Sequence, residues 1–342
     1  MLALMLLAAA CAGGESASRG SAADTAAARA AADSGASRAT TAPSSAAGDV
    51  STTGASAGDA LAPNPQGRIP VLEYHVIGGD QNTLYTRTVA SYKADLEEAY
   101  KLGYRPITIA QMLDKDWREL PSGTAPAVFV FDDASDSQFR YVERNGKLEI
   151  DPTSAVGIWL DFAKTHPGWT NRAVFCMLNG GAAGHNFFGD NVKFGGQKKE
   201  WRFQKVKWLA DQGFELCSHT LWHAKLSQYP DAVVQEQIAR NVMGIDSAVA
   251  GYKVRTMALP YGLWPKNRPL AWQGSWTDPK TKQTHNYKFD AVLEVAGGPT
   301  RSPYDPQFNP KSINRIEAIG SDISRQLNKL AKDGTRFVPA GK

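Results

Sequence analysis

The sequence predicts an α/β barrel, on three observations. Short, nearly continuous apolar runs alternate with segments of helical periodicity. There are about seven such units in the residues after 66. The side chains able to do chemistry fall at the ends of the apolar runs, where α/β folds place their sites. Residues 69–74 (IPVLEY), 127–131 (AVFVF), 173–178 (AVFCML) and 214–218 (FELCS) read as strands, with 255–259, 291–295 and 312–315 as further candidates. Runs this apolar suit parallel strands covered on both faces. Residues 91–102 set Tyr92, Leu96, Ala99 and Tyr100 at helical spacing, and Gly103 suits the left-handed C-cap. Thr108 can cap a short helix over 108–113. Residues 154–165 are helical up to the break at Pro167-Gly168, and 201–212, 232–249 and 322–332 are further helices. Residues 263–286, rich in Trp, Pro, Lys and Thr, read as a surface insertion.

The 342 residues carry 38 Lys and Arg against 34 Asp and Glu, and 42% are hydrophobic. The averages conceal a split. No Phe, Trp or Tyr occurs before residue 67, where three Arg face four Asp and one Glu; that segment is −2 and the remainder +6. A fully disordered chain and a polybasic nucleic-acid binder are both excluded. No apolar run is long enough to span a bilayer. The opening MLALMLLAAAC has the length of a signal-peptide apolar region, and Ala8-Ala9-Ala10-Cys11 resembles the lipobox of bacterial lipoproteins, whose Cys is lipidated. The expected layout is a signal over 1–11 with Cys11 as lipidation site, a disordered Ala/Ser/Gly tether over 12–66, and one folded domain over 67–342. The protein is thus expected to be exported, anchored to a membrane of the cell envelope through its lipid, and monomeric. Three Cys are too few for a disulfide scaffold. Cys176 and Cys217 each sit in a strand pattern and are expected as buried thiols, because adjacent parallel strands seldom meet disulfide geometry.

Four stretches carry candidate chemistry. Asp132 and Asp133 follow AVFVF directly, and paired carboxylates there call for a cation. Their side chains diverge, so one can hold a metal while the other acts as a base. His219 and His223, in HTLWH after FELCS, share a face at i and i+4 if the turn is helical, so that both can reach one ion. With one Asp they leave positions open, as a hydrolytic metal requires. Pro260-Tyr261-Gly262 forms a turn that can aim a backbone N–H into a pocket. His75, ending IPVLEYH, can serve as a general acid near neutral pH.

Together these stretches resemble the NodB-type polysaccharide deacetylases, carbohydrate esterase family four. The motif TFDDG appears as VFDDA (residues 130–134), H-[ST]-x-x-H as HTLWH (219–223), and R-x-P-Y-G as ALPYG (258–262). The start IPVLEYH is similar to the permuted branch that contains the poly-N-acetylglucosamine deacetylases, in which this His is the catalytic acid. The resemblance implies a distorted (β/α)7 TIM-like barrel and a divalent metal, zinc first with cobalt or nickel as alternatives, on Asp133, His219 and His223. It implies Asp132 as general base, His75 as acid, the Tyr261 N–H as oxyanion donor, and Pro260, Tyr261 and Trp222 against an N-acetylated polysaccharide. Ala134 replaces the motif's Gly, a modest change if the backbone there avoids positive φ. Ala258 replaces the Arg that orients the base, so Asp132 needs another partner; Arg255 and Arg315 are candidates. Rival readings are a metal-dependent hydrolase of another acyl ester or amide, and a non-catalytic glycan-binding lipoprotein.

Overall fold

The computed structural model describes residues 60–180, 186–189 and 197–340. Cys11, the signal segment and the tether up to residue 59 lie outside them. Eight parallel strands form the central sheet: β1 (Val71–Tyr74), β2 (Tyr104–Ile107), β3 (Ala125–Phe131), β4 (Val174–Met177), β5 (Glu215–Ser218), β6 (Thr256–Ala258), β7 (Ala291–Gly297) and β8 (Ile313–Glu317). Seven of them close a barrel in the order β1-β3-β4-β5-β6-β7-β8, with Glu317 paired to Glu73 and Tyr74 to Phe131 at the closure. The eighth, β2, explains the distortion. Val128 pairs with Val71 on one side and Ile107 on the other, whereas Val130 pairs with Glu73 and Val174. So β2 and β4 share one edge of β3, β2 at its N-terminal half and β4 at its C-terminal half.

The helices are α1 (Val89–Lys101), α2 (Ile109–Asp114), α3 (Ala155–Thr165), α4 (Trp201–Asp211), α5 (Asp231–Ala248) and α6 (Asp322–Lys332). Their starts follow local chemistry. Thr108 accepts from Gln111 N while the Gln111 side chain accepts from Thr108 N, a capping box that holds a helix too short to persist alone. Ser154 caps α3 by accepting from Gly157 N. Two antiparallel hairpins, Tyr141–Arg144 with Lys147–Ile150 and Gln273–Thr277 with Thr284–Lys288, are inserted between barrel units. Among the described residues no helix is long and apolar enough to cross a membrane.

Alternation along the strands sorts the core. Leu72, Tyr74, Phe129, Phe131, Phe175 and Leu216 face outward onto the helices. Val71, Val128, Val130, Val174, Cys176 and Cys217 face into the barrel. Continued one step towards the strand ends, the inward rows bring in Glu73, Asp132, His219 and Arg315. The fold therefore dictates that polar groups cap an apolar barrel interior at one end.

Two expectations are corrected. Cys176 and Cys217 are disulfide-bonded, not free thiols. The register sets them directly opposite each other on β4 and β5, both pointing inward with Cα atoms 4.2 Å apart. The folded domain also begins before residue 67. Leu61 N–H donates to Gly123 O, Leu61 packs on the core, and Asn64 bridges to Val338.

Candidate metal and acid–base site

The site occupies the C-terminal end of the barrel, in a cavity of about 410 Å³. Asp133 Oδ1 lies 3.3 Å from His219 Nε2 and 3.5 Å from His223 Nε2. Ligand atoms of these three residues all fall within 4.8 Å of one another. The His219 Nδ1 is hydrogen-bonded to the backbone carbonyl of Ala258 at 2.9 Å. A carbonyl only accepts, so Nδ1 carries the proton and Nε2 presents its lone pair to Asp133. His219 Nε2 and Asp133 Oδ1 are buried and have no hydrogen-bond partner. Unpaired acceptors facing each other in a buried site are what a cation satisfies, so this donor set, one carboxylate and two imidazoles, fits a divalent metal with open positions.

The electrostatics agree. Burial raises the Asp133 carboxyl's affinity for a proton, but the imidazoles of His219, His75 and His223 around it outweigh that, so it is held well below the usual carboxylate range. Burial and the neighbouring His219 push His223 down to about 4, leaving it neutral and able to ligate.

Asp132 sits beside this set, buried, with Oδ2 3.9 Å from His219 Nε2. Its partner is Arg315 of β8, whose Nη1 donates to Asp132 Oδ2 at 2.8 Å and whose Nη2 lies 3.2 Å from Glu73 Oε1. Burial pushes Asp132 up, and Arg315, with help from His219 and His75, more than reverses it. Arg255 pairs instead with Asp114 and Asp290. The place left by Ala258 is thus filled from a different strand. Glu73, to which no sequence motif gives a role, is 3.5 Å from His75 Nε2 and, being buried, holds its proton well above the usual carboxylate range. His75 is pushed down by burial, which Asp132 and Asp133 oppose. Gln138 braces the arrangement by donating to the backbone carbonyls of both His75 and Asp132.

The backbone is strained where the site is built. Asp133, Ala134, Thr220, His223 and Tyr261 all have positive φ, between 52° and 76°. A left-handed conformation costs an L-residue about 1–2 kcal/mol, so the fold holds these turns against their local preference. Ala134 has φ 52°, so the condition under which its replacement of Gly is modest is not met. Tyr261 lies on the cavity wall with its ring 4.2 Å from that of His223. Pro260 and Trp222 do not line the cavity: Pro260 is buried beneath the turn, and Trp222 faces solvent with its backbone N–H donating to the Gln237 side chain. Leu84 and Tyr85 do line it, and no sequence motif marked them.

Comparison with known proteins fits this geometry. The family described as polysaccharide deacetylase matches residues 167–272, which include HTLWH and ALPYG. No curated protein matches the chain. Among solved structures, the deacetylase PplD of Streptococcus pyogenes, in complex with acetate, is similar at 15% identity and TM-score 0.52, covering 80% of this chain and 100% of that one. A polysaccharide deacetylase from Bacillus cereus is similar at 15% identity and TM-score 0.52, over 78% of this chain and 69% of its own. IcaB of Ammonifex degensii is similar at 15% identity and TM-score 0.51, over 78% of this chain and 97% of its own. At these identities the structural likeness establishes the barrel. The resemblance to the polysaccharide deacetylases is borne out by the family match, which covers HTLWH and ALPYG and begins after VFDDA.

Proposed function

We propose that this chain, similar in sequence and barrel to the polysaccharide deacetylases, is a metal-dependent N-deacetylase that removes acetate from N-acetylated sugars of an envelope or extracellular polysaccharide. The observation that carries the reading is the convergence of Asp133, His219 and His223 beside a buried Asp132 that Arg315 keeps ionised. A divalent metal on the first three, zinc first with cobalt or nickel as alternatives, supplies a Lewis acid and lowers the pKa of a water.

The remaining work falls to the protein's own groups. Asp132 accepts the proton of the attacking water, and Arg315 keeps its carboxylate oriented. The Tyr261 N–H donates to the oxyanion that forms from the amide carbonyl. His75 protonates the sugar amine as it departs, a step an amide needs because an amide anion is a poor leaving group. His75 and Asp132, at the ends of the adjacent strands β1 and β3, thus act on opposite sides of one bond cleavage.

The exported, lipid-anchored location is supported by MLALMLLAAAC and by the aromatic-free segment that follows. The deciding experiment measures metal content of the purified protein, and acetate release from N-acetylglucosamine oligomers with and without a chelator. About one bound metal with chelator-sensitive acetate release is expected. Metal without acetate release from sugars moves the activity to another acyl substrate. Absence of both leaves a glycan-binding role.

A further inference from the structure

The cavity has an apolar rim that the chemistry above does not use. Leu84 and Tyr85 are 50% and 56% exposed, and both line the cavity. They stand on a pinned loop. Val76 N–H donates to Tyr85 O at 2.9 Å, and Thr83 N–H donates to Thr86 O at 2.8 Å. Thr86 and Arg87 pair with Val76 and Ile77. The Arg87 guanidinium makes two hydrogen bonds to the buried Asp95 and a third to Gly320 O. A loop anchored this firmly, yet holding two large apolar side chains in water, is organised for a contact that the isolated domain does not make.

Position identifies the contact. The Tyr85 ring stands edge-on to His75, 5.3 Å between centroids, whereas the Tyr261 ring lies against His223. The two exposed tyrosines therefore mark the acid end and the metal-ligand end of one cavity. On the function proposed above, on which this inference rests, the amide nitrogen faces His75 and the acetyl carbonyl faces His223. The carbon bonded to that nitrogen is a sugar ring carbon, so the ring itself comes to the Tyr85 side. A pyranose has one face of C–H groups, which an aromatic ring accepts without a charged partner.

We propose that Tyr85, flanked by Leu84, is the platform for the pyranose that carries the reacting N-acetyl group. It is a specificity-determining residue for the sugar, separate from the groups that bind the acyl end. The test measures binding of an N-acetylglucosamine trimer by calorimetry to the Asp132→Asn protein, with and without Tyr85→Ala. About tenfold weaker binding is expected, fully restored by Tyr85→Phe, because the ring and not the hydroxyl makes the contact. In the protein with Asp132 intact, the ratio of kcat/KM on the trimer to kcat/KM on 4-nitrophenyl acetate should fall about tenfold in Tyr85→Ala, through KM. Unchanged trimer binding overturns the proposal, as does an equal loss on both substrates, which makes Tyr85 a support for His75. If the unsubstituted protein releases no acetate from sugars while Tyr85 still governs trimer binding, the deacetylase reading fails and the platform stands.

Discussion

Arg315 reaches from β8 to Asp132, which directly follows β3, Nη1 to Oδ2 at 2.8 Å, with both side chains buried. On the function proposed above, Arg315 orients Asp132 from β8, a role that the resemblance gives to an Arg at the position occupied here by Ala258. Replacing Arg315 with Met leaves the Asp132 carboxylate buried without its counter-charge. Removing one partner of a buried pair costs about 3–5 kcal/mol, and part of that is recovered if the orphaned carboxylate takes up a proton. Urea unfolding should show the loss, and acetate release at neutral pH should fall with it, because a protonated Asp132 cannot act as base. Full activity in Arg315→Met would separate Asp132 from the chemistry.

Asp132 and Asp133 are neighbours with opposite surroundings, so their amides should fail differently. Among the described residues, Asp133 supplies the carboxylate that faces both His219 and His223, so metal content should drop in Asp133→Asn. Asp132→Asn should keep the metal and lose about 100- to 10,000-fold in rate, the range of a general base. Metal analysis beside turnover separates the two. Loss of metal from both variants makes Asp132 a ligand.

Much of this site is legible in the sequence. The spacing marks His219 and His223 as a pair, although they meet across a turn with positive φ at Thr220 and His223 and not on a helix face, and the ends of AVFVF and FELCS put them opposite Asp132 and Asp133. What escapes depends on contacts between strands far apart in sequence. Arg315 and Asp132 are 183 residues apart, and nothing local in INRIE distinguishes Arg315 from a surface Arg. Strand β2 is hidden by Arg105 and Pro106; Pro is tolerated because only one edge of β2 is paired. The Cys176–Cys217 bond follows from a register that apolar strands do not encode locally. Leu84 and Tyr85 carry no periodicity, and only the closure of β1 on β3 and β8 makes their loop part of the cavity.

The disulfide inside the barrel has a measurable consequence. Cys176 and Cys217 are separated by 41 residues, a span that includes α4. In the chain-entropy account, closing a loop of that length restricts the unfolded chain by about 4 kcal/mol. Unfolding with and without reductant should differ by that order, and the Cys176→Ala/Cys217→Ala double variant should be insensitive to reductant. Two titratable thiols from this pair in denaturant under oxidising conditions would remove the bond.

Lys205 gives the domain a pH dependence of its own. It is fully buried on α4, its Nζ donating to Phe188 O at 3.0 Å and Gln197 Oε1 at 2.7 Å. Burial pulls its pKa from 10.5 down to about 7, which the charge of Asp136 opposes only in part. Between those two values the unfolded chain holds the proton and the folded one releases it. Stability from this group is therefore complete above 10.5, declines as pH falls, and is lost near 7. Lys205→Met removes that slope. The stability gap between variant and parent should therefore change by a few kcal/mol across this window, at about 1.4 kcal/mol per pH unit. Chemical unfolding at several pH values checks it; parallel curves would show that Lys205 stays charged in the folded domain.

His75 separates amide from ester chemistry. It stands at the end of β1, with Glu73 and Tyr85 as neighbours. An amide requires protonation of its nitrogen as the bond breaks, whereas an aryl ester releases a stable phenolate without help. His75→Ala should therefore slow acetate release from N-acetylglucosamine oligomers by about 100-fold or more, while hydrolysis of 4-nitrophenyl acetate falls far less. The unequal loss assigns the proton to the leaving amine. An equal loss on both substrates places His75 on the attacking side, with Asp132, and leaves the departing amine to another acid.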